Sequence, residues 1–111
     1  MKLLIAGSRS ITDFDLEGVV PEGVDTIISG GALGVDTLAE EYADKHNIEK
    51  IIVRPEYDKY GKAAPIKRNR DMVDMCDEVL VIWDGVSRGT KSTVNYAKKK
   101  GKNVTLVEIK N

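Results

Sequence analysis

Thr26-Ile27-Ile28-Ser29-Gly30-Gly31-Ala32-Leu33-Gly34-Val35-Asp36 is the stretch on which the fold turns. A short apolar run stops at a serine and two glycines. An apolar stripe then begins at Val35 and continues through Leu38, Ala39, Tyr42 and Ala43. That i, i+3, i+4, i+7, i+8 spacing is the inner face of an amphipathic helix. The passage therefore predicts a strand, a glycine turn and a helix in immediate succession. Glycine permits positive φ and close backbone approach to a ligand. The helix start that follows offers unpaired N–H groups and the positive end of its dipole. Turn and helix together suit an anion such as phosphate.

The same pattern extends in both directions. Further apolar runs occur at Leu3–Ala6, Ile51–Val53, Val79–Trp83 and Val104–Val107. None alternates cleanly with polar residues, which predicts strands buried on both faces, as in a parallel sheet. Helical spacing recurs over Ile66–Cys76, with Ile66, Val73 and Cys76 inward. It recurs again over Thr90–Lys100, with Val94 and Ala97 inward and Lys98, Lys99 and Lys100 outward. A weaker helix is expected over Asp13–Gly23, capped by Thr12 and shortened by Gly18 and Pro21. Tyr57–Pro65 has no period and reads as an ordered loop. Strands alternating with helices, joined by right-handed crossovers, make a three-layer α/β sandwich. One domain over residues 1–111 accounts for the whole chain, whose length needs no disulfide or metal staple.

Composition narrows the function classes. The chain is 41% hydrophobic and 32% charged, ordinary values for a globular domain. Its only cysteine and only histidine, Cys76 and His46, make a zinc site an unpromising expectation, and no metal or cofactor is expected. Cys76 reads as a buried small hydrophobe and His46 as structural or solvated. One cysteine permits no internal disulfide and points to a reducing, cytoplasmic compartment. The apolar run at Met1–Gly7 is too short for a signal peptide, and no run approaches the roughly 20 residues that span a bilayer, so no membrane partner is expected. The net charge of −1 conceals a split. Residues 1–55 carry 5 basic and 10 acidic side chains, whereas residues 56–111 carry 12 and 8.

In an open parallel sheet, ligands bind beyond the carboxyl ends of the strands, where the strand order reverses. The residues following the strands are therefore the informative ones. They are Gly7-Ser8-Arg9-Ser10, Ser29–Asp36, Arg54-Pro55-Glu56-Tyr57 and Asp84-Gly85-Val86-Ser87-Arg88-Gly89-Thr90. The second and fourth of these are glycine turns leading into helices. Ser8, Thr90 and Ser92 add hydroxyl donors, and Arg9, Arg68 and Arg88 can add charge-assisted forks. Neither a Walker A loop nor a Gly-x-Gly-x-x-Gly fingerprint is present. Trp83 and Tyr57 are candidates to stack on a base, although a Trp ending a buried strand is more simply core.

Taken in order, these blocks resemble the SLOG superfamily, which groups the DNA-processing protein DprA with the Lonely Guy (LOG) phosphoribohydrolases. The likeness is greatest to its small YspA-type members. It rests on Gly7-Ser8-Arg9, on Gly30–Asp36 with Ala39 and Ala43, on Tyr60-Gly61-Lys62-Ala63-Ala64, on Arg68-Asn69 with Met72, and on Gly89-Thr90. The resemblance implies a Rossmann-like sandwich, and the expected sheet has five parallel strands in the order 3-2-1-4-5. It also implies a pocket for a nucleotide or other phosphoribose-containing ligand. The residues expected to bind are Gly7, Ser8, Arg9, Gly30, Gly31, Gly34, Asp36, Arg68, Asn69, Ser87, Gly89 and Thr90. LOG enzymes cleave the N-glycosidic bond of nucleoside monophosphates, using an Arg of an Arg-Lys-x-x-Met motif and a Glu just after Gly-Thr. Arg68 and Met72 match the first motif. The positions after Gly89-Thr90 are Lys91, Ser92 and Thr93, without the Glu. If hydrolysis occurs, Asp36, Asp84 and Arg68 are the candidates to serve it.

Three functions follow in order of expectation: binding or sensing of such a ligand, nucleoside monophosphate hydrolysis, and binding of single-stranded nucleic acid in the manner of DprA. The last draws on the six basic residues of Arg54–Arg70. It stands third because a long polyanion would meet the acidic half as well. A homo-oligomer is a further expectation from the resemblance.

Overall fold

The computed structural model describes residues 1–109. Five strands, β1 (Lys2–Gly7), β2 (Thr26–Ser29), β3 (Glu49–Ile52), β4 (Glu78–Trp83) and β5 (Asn103–Glu108), form one sheet. All pairings are parallel and the order is β3-β2-β1-β4-β5, as expected. Helix α1 (Val35–Lys45) joins β2 to β3, and α4 (Arg88–Lys99) joins β4 to β5. The return from β3 to β4 passes through a single helical turn, α2 (Tyr57–Tyr60), and then α3 (Ala64–Met75).

Successive strand residues face opposite sides of a sheet, and the core divides accordingly. Leu3, Ile5, Ile27, Leu80 and Ile82 pack with Val35, Ala39 and Ala43 of α1 on one face. Leu4, Ala6, Ile28, Val79 and Val81 pack with Met72, Val73, Cys76, Val94 and Ala97 on the other. Three layers result, giving a Rossmann-like α/β sandwich. Burial on both faces holds for β1, β2 and β4. The outer strands β3 and β5 are largely exposed, because each has a neighbour on one side only.

Three local expectations need correction. The first connection is not a helix over Asp13–Gly23. It contains a single 3-10 turn, Leu16–Gly18, whose cap is Asp15 rather than Thr12, with the Glu17 N–H donating to Asp15 Oδ1 at 2.9 Å. Gly18, Pro21 and the positive φ of Gly23 leave no room for further helical turns. The loop instead covers its face of the sheet with buried Ile11 and Leu16. Ile66 is not part of the inner face of α3 but 49% exposed; Ala64 in the first turn takes the buried position. The Tyr57–Pro65 loop is mostly helical, comprising α2, a 3-10 turn at Gly61–Ala63 and the start of α3. Its turns are too short to display a period.

Among the described residues no helix is long and apolar enough to cross a membrane.

Candidate functional site

The chain winds from β1 outward to β3, then crosses back to β4 and β5, so the order reverses between β1 and β4. The loops after these strands diverge there and leave a crevice. A cavity of about 790 Å³ occupies that place. Its floor is Ala6 and Gly7 at the end of β1. One wall is Gly30, Gly31, Ala32 and Asp36. The opposite wall is Asp84, Ser87, Gly89, Thr90 and Thr93. Arg54, Pro55 and Tyr57 close one side with Pro65, Arg68, Asn69 and Met72 of α3, and Arg9 and Ser10 lie at the edge.

The glycines have separate reasons. A Cβ at Gly7 would lie 2.2 Å from the Ile82 carbonyl oxygen, so only glycine lets β1 pass β4 and Val35 here. Gly34 has φ +77°, and a Cβ there would lie 2.5 Å from the carbonyl oxygens of both Ser8 and Arg9. It packs the start of α1 against the loop after β1. Gly30 faces the cavity, where a Cβ would meet Arg68 Nη1 at 2.7 Å and Asp36 Oδ2 at 2.8 Å. At Gly89, by contrast, a Cβ would meet nothing within 4 Å. Neither α1 nor α4 has a side-chain cap at its N-terminus. The first-turn amides of α4 therefore have no side-chain acceptor where Gly89 and Thr90 meet the cavity.

The two carboxylates in the walls differ in chemistry. Asp36 is buried and its carboxylate accepts the Ala32 N–H at 3.1 Å. Burial pushes its pKa above the ordinary aspartate value, against the opposing pull of that hydrogen bond and of the Arg68 charge. Asp84 accepts four donors: the amides of Val86 (2.9 Å) and Ser87 (2.8 Å) and the hydroxyls of Ser87 (2.8 Å) and Ser10 (2.9 Å). The two amide bonds, chiefly, hold its pKa well below the usual carboxylate range. Asp84 thereby shapes the turn after β4 and stays ionised. Of the two, Asp36 is the one whose proton affinity is raised.

Arg68 is half-buried and donates to the carbonyls of Gly30 at 2.5 Å and Val53 at 3.4 Å and to Asn69 Oδ1 at 2.8 Å. Burial lowers its pKa from a very high ordinary value, which leaves it a cation. Arg54 donates to the Gly31 carbonyl at 3.2 Å. Two guanidiniums thus hold successive carbonyls of the same glycine turn.

Ten of the twelve residues expected to bind line one cavity: Gly7, Arg9, Gly30, Gly31, Asp36, Arg68, Asn69, Ser87, Gly89 and Thr90. Ser8 and Gly34 stand behind it. Ser8 is buried, and its hydroxyl accepts the Asp84 N–H at 2.9 Å, which ties the ends of β1 and β4 together. Arg88 and Ser92 are exposed and outside the lining, and Trp83 turns its Nε1–H to the Ser87 carbonyl at 3.0 Å. Met72, Thr93, Pro65 and Arg54 were not among the expected ligand residues. Arg54 follows directly on a strand and was legible by the same rule that selects Arg9. Met72 and Thr93 lie on helices and reach the cavity only through the packing of α3 and α4. Among the described residues no three His, Cys, Asp or Glu side chains group as a metal would require.

Fold and cavity define an open parallel α/β domain with a crevice at its topological switch point. A 65-residue stretch, 56% of this chain, is 34% identical to an uncharacterized SPbeta prophage-derived protein, YoqJ, of Bacillus subtilis (strain 168). The match spans 37% of that relative's length. No family model and no solved structure matches the chain.

Proposed function

We propose that the domain binds a nucleotide or a nucleotide-derived ligand containing phosphoribose, at the turns after β2 and β4. The observation that carries this reading is the meeting of two glycine-bearing turns, each leading into a helix without a side-chain cap, on one cavity that also holds three arginines. Backbone amides and guanidiniums are the donors that phosphate recognition uses. The volume lies within the range of small-molecule sites. The resemblance to SLOG proteins agrees with the same ligand class.

A thermal-shift panel of nucleosides, nucleotides and dinucleotides tests the reading. At least one phosphate-bearing nucleoside raises Tm, and Gly89→Val abolishes the shift while leaving the unliganded Tm close to wild type. A panel without any shift sinks it.

Asp36 supports a second reading, N-glycosidic hydrolysis of a nucleoside monophosphate. It is a cavity carboxylate with raised proton affinity, next to Arg68. Release of free base by the wild type, lost in Asp36→Asn with ligand binding retained, is the result this reading requires.

A further inference from the structure

We infer that the ligand carries two adjoining phosphates, as in a nucleoside diphosphate or its sugar ester, and that Arg54 binds the second of them. The inference rests on the nucleotide reading above and adds the charge and number of the phosphoryl groups.

Three arginines, Arg9, Arg54 and Arg68, line one cavity. Among the described residues no arginine takes part in a salt bridge; the carboxylates that are paired meet lysines, His46 or the N-terminus. Neither cavity carboxylate forms an ion pair with an arginine, although the charge of Asp36 acts on Arg68 at longer range. Asp84 is taken up by four donors of its own turn and Ser10. Asp36 is directed to the Ala32 amide. Arg54 and Arg68 satisfy backbone carbonyls instead, and a guanidinium bonds more strongly to an ionised oxygen than to a neutral one.

Placement bears on the number of phosphates. Arg68, from α3, holds the carbonyl of Gly30, and Arg54, from the end of β3, holds that of Gly31. A Cβ on Gly30 would meet the first guanidinium, and one on Gly31 the second. Both guanidiniums therefore sit on successive carbonyls of one turn and line the same cavity. A monophosphate offers Arg54 and Arg68 the oxygens of one phosphorus centre, whereas a diphosphate offers each guanidinium its own. A diphosphate meets both, and the cavity of about 790 Å³ has the space for it.

Isothermal titration in EDTA, with matched nucleoside 5′-mono- and diphosphates of the four common bases and with inorganic pyrophosphate, decides the matter. For at least one base the diphosphate binds about tenfold or more tightly than the monophosphate, the worth of one hydrogen-bonded charge pair. Arg54→Ala removes that advantage and changes the monophosphate affinity less than about twofold. Arg54 is exposed and bonds to the Gly31 carbonyl, so an unchanged Tm verifies that the variant is folded. Equal affinity for mono- and diphosphates, or equal loss of both in Arg54→Ala, overturns the inference and leaves the nucleotide reading standing. Pyrophosphate binding as tightly as every nucleotide overturns its nucleoside part. Absence of binding by any nucleotide removes the nucleotide reading, and this inference with it.

Discussion

Gly89→Ala is predicted to stabilise the protein and weaken its ligand at once. Gly89 is the second residue of α4, is exposed, and does not have a positive φ. A methyl group there meets no atom within 4 Å, so it introduces no strain. Alanine is favoured over glycine by about 1 kcal/mol within a helix, partly because glycine loses more freedom on folding. In a first turn, with fewer intrahelical bonds, about half of that is expected, ~0.5 kcal/mol. For a domain of this size it corresponds to a rise in Tm of roughly 2–4 °C. The same methyl group projects where the α4 amides face the cavity. A phosphate approaching those amides loses its closest contact, and affinity falls about tenfold, or ~1.4 kcal/mol. Differential scanning fluorimetry of the unliganded variant and titration with the tightest nucleotide of the panel read the two effects separately. A fall in Tm refutes the open space beside Gly89. Undiminished affinity refutes the approach of the ligand to α4.

Gly34→Ala should behave oppositely. It forces a side chain to φ +77° and against two backbone carbonyls, a loss of about 3 kcal/mol or more in urea denaturation; a loss under about 1 kcal/mol would contradict the packing described. Asp84→Asn is expected to lower Tm at neutral pH. Because the folded pKa of Asp84 is depressed, its contribution is complete above the unfolded value of about 3.9 and is lost as pH falls below it, so the gap to wild type closes in acid. Asp36 has the reverse sign. Its raised pKa means that ionisation costs stability above that value, so Asp36→Asn raises Tm near neutrality and the gain disappears as the pH is lowered toward about 4. A Tm difference independent of pH in either variant contradicts the corresponding assignment.

The fold was legible because local and global signals coincide. The passage from Thr26 to Ala43 spells strand, turn and helix in residues that the packing then uses, with Val35, Ala39 and Ala43 all buried. The connection from Ile11 to Gly23 misled because its apolar residues cover the sheet without a helix, and loops of that kind have no period to read. Ile66 misled because periodicity identifies a helical face but not where along that face burial begins. The cavity was legible where it is built by the turns after strands and the helix starts that follow them, as at Gly30, Gly31, Gly89 and Thr90. It was not legible where side chains enter from helix interiors, as at Met72 and Thr93. Asp84 was recognisable as a carboxylate after a strand, but its commitment to four donors depends on the path of the turn.

The charge split also changed meaning. The acidic connection after β1 and α1 covers one face of the sheet, whereas α3 and the lysine-rich α4 cover the other. Half against half along the chain becomes face against face in space. A polyanion lying on the α3–α4 face would therefore not meet the acidic layer, and the charge argument against a nucleic-acid partner loses that part of its force.

Backbone amide chemical shifts during titration with the nucleotide that most raises Tm test the central claim most directly. Binding at the two turns predicts that the largest changes fall on Gly30, Gly31, Ala32, Gly89 and Thr90, with the edge strand β5 and the outer face of α1 silent. Changes concentrated away from those turns, or none at saturating nucleotide, would contradict it.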